Sequence, residues 1–196
     1  MKYLPILALA FILSACNGTT PTPTTSVQPP PSGPTSTLAP GQCRIRGVLP
    51  DPNCTPGVLN PAVTQSTIDT TICVSGWTKT IRPPVSYTDK LKEQQIVAYG
   101  YSNTKPADYE EDHLVSLELG GDPTDPRNLW PEPRTGSPNA VNKDKVENYL
   151  KAQVCKGNMS LADAQKGIAA DWTQYLHAVA VSVEDISSDD PDDNGE

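Results

Sequence analysis

Apolar positions in this chain come in short runs, separated by polar and proline-rich stretches. The alternating, β-branched segment "TTICVSGW" (Thr70 to Trp77) predicts a strand. Thr88 is placed to cap a short helix over "DKLKEQQIVAYG", closed by Gly100. "DHLVSLEL" predicts a strand that runs into a loop at Gly120 and Gly121, and "NLW" a short returning strand. "SPNAVNKDKVENYLKAQVC" predicts a helix with Ser137 as N-cap and Pro138 at the first position. Val146, Leu150 and Val154 line one of its faces, and Gly157 ends it. Ser160 and Asp163 resemble a capping box opening a last helix to about His177, with Leu161, Ala164, Ile168, Trp172 and Leu176 as its buried stripe. The class this implies is α+β. No internal repeat is visible.

The ends read differently. "MKYLPILALAFILSAC" has one cation at Lys2, an apolar run from Leu4 to Leu13, then small residues. It is a secretory signal, too short to span a bilayer as a stable helix. Its end, Leu13-Ser14-Ala15-Cys16, resembles the lipobox of bacterial lipoproteins, which implies a signal peptide over 1–15 and lipidation of Cys16. Acyl chains there would hold the protein to a membrane. Asn17 differs from the Asp that retains lipoproteins at the inner membrane, so the outer membrane is favoured where the cell has one. The alternative is an ordinary signal peptide that happens to contain Cys16. Residues 16–42 are rich in Thr, Pro, Ser and Gly and form a semi-extended tether. The globular domain spans 43–183, followed by an acidic, disordered tail over 184–196.

Charge refines the picture. The formal charge of −8 argues against a nucleic-acid partner, but the tail alone carries seven acids and no base. Without them about −1 remains, so any phosphate contact must rest on a few placed cations. Besides Cys16, four cysteines remain, an even number in an exported domain. Cys43 and Cys54 flank a turn-rich stretch and pair readily, which leaves Cys73 with Cys155. No two of them have the two-to-four residue spacing usual for zinc ligands.

The candidate chemistry lies in "YEEDHLVSLELGGDPTDPRNLWPEP", from Tyr109 to Pro133. Asp112 and His113 head an extended segment, a loop of 14 residues follows, then Asn128 and the helix. Together, "EDHLVSLELGG…NLWPEP…KDKVEN" resembles the HNH, or His-Me finger, endonucleases over about Tyr109 to Leu150. The Cys-bounded flanks resemble a secreted bacterial subgroup of them. The resemblance implies a small ββα-metal core with flanking helices and a disulfide-braced N-terminal extension. It implies that His113 is the general base, that Asp112 binds one divalent ion, and that Asn128 holds the loop and fixes the His. The ion is Mg²⁺ or Mn²⁺, with Zn²⁺ as the alternative. The expected substrate is DNA, with RNA also open, and the products carry a 5′ phosphate and a 3′ hydroxyl. The residue types suit this work. A neutral imidazole takes a water proton near pH 7, and a hard ion on oxygen ligands neutralises charge on phosphorus.

The helix departs from the family pattern, since no His lies near its start. Asn142, Asp144 and Glu147 are put forward together as its metal ligands, ahead of Asn139. Asp144 and Glu147, three apart, share a face, while Lys143 and Glu147, four apart, could form an ordinary salt bridge. Arg127, Arg134, Lys143, Lys145 and Lys151 are the candidate phosphate contacts. Trp130 reads as core. Trp77, Tyr99, Tyr101 and Tyr109 could pack or stack on bases, with packing favoured. The competing class is a non-catalytic cell-surface module that binds a wall polymer or a protein, with Asp112 and His113 structural.

Overall fold

The computed structural model describes residues 39–188. The signal segment, Cys16, nearly all of the tether and residues 189–196 lie outside the described residues. The fold is α+β. Its order is α1 (Trp77–Ile81), α2 (Val85–Ala98), β1 (Tyr109–His113), β2 (Leu129–Pro133), α3 (Ala140–Cys155), α4 (Leu161–Asp171) and α5 (Leu176–Ser188). β1 and β2 form a two-stranded antiparallel sheet in which Asp112 faces Trp130 and His113 faces Leu129. No helix among the described residues is long and apolar enough to cross a membrane.

Several expectations about elements need correction. Thr70–Trp77 is not a strand but a series of turns leading into α1. Threonine hydroxyls take over the backbone bonding there. Thr67 Oγ1 donates to the Ala62 carbonyl at 2.9 Å, and Thr71 Oγ1 to that of Thr67 at 2.7 Å. α2 begins before Thr88, directly after Pro84. β1 ends at His113, so Leu114, Val115, Leu117 and Leu119 are buried in the loop rather than in a strand. α3 starts at Ala140, not near Pro138. Asn139 and Asn142 cap it reciprocally, each side chain accepting from backbone N–H groups of the other's end. The last helical stretch breaks at Asp171, whose side chain caps a 3₁₀ turn over Trp172–Tyr175. α5 then continues to Ser188, into the segment expected to be a tail.

The helical half packs as expected. Val146, Leu150 and Val154 of α3 and Leu161, Ala164 and Ile168 of α4 are buried with Trp172, Val115, Leu119, Ile68 and Ile72. A second cluster gathers Leu114, Trp130, Ala98 and Tyr99 around Cys43 and Cys54. Both disulfides form as paired from the sequence, with Cα separations of 5.9 Å for Cys43–Cys54 and 5.7 Å for Cys73–Cys155. The first closes a loop within the N-terminal segment, and Cys43 N–H donates to the Ala98 carbonyl at the end of α2. The second ties the turns before α1 to the end of α3.

Candidate active site

Asn128 organises the loop between the strands. It is fully buried. Its Oδ1 accepts from Val115 N–H at 3.0 Å, and its Nδ2 donates to the carbonyls of Val115 and Asp122, each at 3.0 Å. A carboxamide does this because it donates and accepts at once. These bonds supply the backbone partners that a strand would otherwise provide. Gly121 makes the closure possible. A Cβ there would sit 1.8 Å from the Val115 carbonyl oxygen and 2.6 Å from Asn128 Nδ2.

The pinned loop delivers Pro123 to His113. His113 Nε2 lies 3.1 Å from the Pro123 carbonyl oxygen. A carbonyl only accepts, so Nε2 carries the proton and the neutral ring keeps its lone pair on Nδ1. Burial pushes the imidazole down to about 4, with the positive charges of Arg82 and Lys143 adding to it and the Pro123 bond opposing. The ring is therefore neutral at pH 7.

Asp112, the neighbour of His113 on β1, is held by two other elements. Trp130 Nε1 donates to its Oδ2 at 3.2 Å. Lys143, from the first turn of α3, lies 3.0 Å from Oδ1 and 2.9 Å from Oδ2. The same ammonium donates to the His113 carbonyl at 2.9 Å and to Glu147. Lys143 is 1% exposed, so it is no phosphate contact but a buried staple between α3 and the end of β1. Burial works against its charge, but the carboxylates of Asp112, Glu147 and Glu132 outweigh that and hold its pKa above the ordinary lysine value. Burial raises the carboxyls of Asp112 and Glu147 while Lys143 pulls them back. It raises Glu132 most clearly of the group around Lys143, and both Glu132 oxygens are buried without a hydrogen-bond partner.

Beside His113 opens a cleft of about 280 Å³. Glu110, Glu111, Asp112, Glu118, Asp144 and Glu147 line it, with Arg82 as the one cation. Of the helix candidates, the structure brings Asp144 and Glu147 to the cleft with Asp112. Asn142 is not among the lining residues, and its Oδ1 accepts from Asn139 N–H at 3.0 Å in the cap of α3. Asn139 is that cap.

The expected ion can be tested against these donors. Among the described residues no three His, Cys, Asp or Glu side chains converge closely enough to be a ready-made metal site. The chemistry of the lining nevertheless suits a hard divalent ion, since it consists of carboxylate oxygens and all four cysteines of the described residues are in disulfides. Glu111 strengthens the fit. Both of its oxygens are sealed from solvent and accept no hydrogen bond, and burial holds its carboxyl well above the ordinary range. A cation in the cleft would answer that deficit.

The other cations are largely engaged. Arg127 pairs with Asp125 at 2.6 Å, Arg134 with Glu110 at 3.1 Å and Lys151 with Glu118 at 3.3 Å. Lys145 is exposed on α3. The tyrosines pack: Tyr101 lies 4.7 Å from Tyr109 and 6.2 Å from Tyr99, centroid to centroid. Trp77 packs against the helical core, and Trp130 is core but also a partner of Asp112. Arg82, Glu111 and Glu132 escaped the sequence reading. A signal existed for two of them. Arg82 is fixed by two following prolines, and Glu111 directly precedes Asp112.

Comparison with protein-family models, with curated proteins and with solved structures found no match.

Proposed function

We propose that the chain is an exported, divalent-metal-dependent endonuclease of the HNH type, built on a ββα core with a disulfide-braced N-terminal extension. It hydrolyses DNA, with RNA also in reach, and with little sequence preference. In this reading Cys16 carries the lipid anchor and the domain works at a bacterial membrane surface, the outer membrane where there is one.

The observation that carries the reading is the held, neutral His113. Asn128 pins the loop, Pro123 fixes the ring by Nε2, and the lone pair on Nδ1 is left to take a proton from water. The cleft beside it is too acidic to accept a phosphodiester on its own. A divalent ion on Asp112, Asp144, Glu147 and Glu111 would supply the missing positive charge and stabilise the leaving oxygen. Lys143 holds Asp112 and the backbone of His113 in one frame, so the base and the acid cannot drift apart.

A second reading, a non-catalytic surface module on the same fold, draws on Lys143 as well. That ammonium already pairs with both Asp112 and Glu147, so their burial does not by itself call for a metal. One experiment separates the two. Residues 17–196 are incubated with supercoiled plasmid in Mg²⁺ or Mn²⁺, with and without chelator. Ion-dependent nicking supports the nuclease. An intact plasmid under every condition supports the module.

A further inference from the structure

We propose that Arg82 is the substrate clamp of this site, a guanidinium that binds the non-bridging oxygens of the phosphodiester presented to His113. The inference rests on the nuclease reading and adds a residue outside the ββα segment that carries the resemblance. Arg82 lines the same cleft as His113, and its charge is felt by the imidazole. It is exposed, and among the described residues its side chain makes no hydrogen bond and no ion pair. That is unusual in this setting. Six acids line the cleft, and the neighbouring cations Arg134, Lys143 and Lys151 are each paired with one or more of them. Arg82 alone is held within the cleft yet apart from its acids.

The backbone explains how. Arg82 closes α1, its N–H donating to the Thr78 carbonyl at 3.0 Å. Pro83 and Pro84 follow, and the latter is the N-cap of α2. A residue before proline is confined to extended conformations, and Arg82 has φ −61° and ψ 128°. The backbone position from which its side chain reaches the cleft is therefore set between two helices before any ligand arrives, so none of the ordering on binding falls on the main chain there. A planar guanidinium presents two parallel N–H groups to a phosphate, a geometry that lysine does not reproduce.

The test uses the full chain and its variants Arg82→Lys and Arg82→Met on a duplex oligonucleotide in Mn²⁺, read as kcat and KM against salt concentration. Arg82→Met should keep the native melting temperature, since among the described residues the exposed side chain makes no hydrogen bond and no ion pair. Its kcat/KM should fall about 10- to 100-fold, the effect of a lost charged hydrogen bond. Its salt slope should flatten by about 1, as expected for one phosphate contact removed. Arg82→Lys keeps the charge beside His113 but loses the fork, and should also be impaired, by less. Native rates and slope in Arg82→Met overturn the clamp while leaving the nuclease standing. Full activity in Arg82→Lys shows that no guanidinium fork holds the phosphate, and overturns the clamp too. A native chain that cleaves nothing removes both readings together.

Discussion

At the residue scale, two buried side chains set the site, and each can be removed singly. Asn128→Ala strips the partners from Val115 N–H and both carbonyls in a fully buried loop. The expected loss is about 2–4 kcal/mol of stability in denaturant unfolding, with cleavage reduced because Pro123 no longer holds the ring of His113. A change well under 1 kcal/mol would mean that the loop closes without Asn128. Lys143→Met leaves Asp112 and Glu147 buried without their cation, at about 3–5 kcal/mol near neutral pH. The sign of its pH dependence follows. Unpaired buried carboxyls have folded pKa values above their unfolded ones, so they do no harm below the unfolded pKa and destabilise as the pH rises through the folded one. Unfolding at pH 4.5 and 7.5 should show the deficit mainly at the higher pH. Asp112, His113 and Asn128 were legible in the sequence because a short acid-histidine-loop-asparagine pattern lies along the chain. The role of Lys143 was not. Its partners at Asp112 and His113 are about thirty residues away, and a lysine on a helix reads as solvated until packing buries it.

At the element scale, the hairpin and α3 decide where ligands can stand. The helical periodicity of Val146, Leu150 and Val154 placed α3 correctly against the core, and the Cys73–Cys155 bridge followed from counting cysteines. The start of α3 and the end of β1 were misplaced for related reasons. Side-chain amides at Asn139 and Asn128 satisfy backbone groups, so a helix begins and a strand ends where apolar patterning does not show it. That shift matters for function. With Asn142 engaged in the cap, Asp144 and Glu147 are the candidate ligands of α3 that line the cleft. Alanine at Asp144 or at Glu147 should raise the Mn²⁺ concentration needed for half-maximal cleavage, whereas Asn142→Ala should chiefly lower stability, by about 1 kcal/mol for a lost cap bond. Titrations of all three variants against Mn²⁺ decide it. Unshifted metal dependence in Asp144→Ala and Glu147→Ala would leave α3 without a ligand.

At the scale of the whole molecule, the domain's near-neutral charge and its acidic cleft point the same way. Neither gives nucleic acid a broad basic field, so under the proposed function binding would be local and would depend on an added cation beside the base. This was only partly visible in the sequence. The charge balance could be counted, but the six acids and Arg82 that line the cleft with His113 come from the end of α1, from β1 and the loop after it, and from α3, segments far apart in the chain. Everything in the functional account passes through one proton transfer at Nδ1 of His113. Single-turnover cleavage of a duplex by the native chain and by His113→Ala, at matched Mn²⁺ and pH 7, measures that step. The account predicts cleavage by the native chain that chelator abolishes, and a rate in folded His113→Ala lower by a factor on the order of 10² or more. Equal rates in the two proteins, or cleavage that survives the chelator, would contradict it.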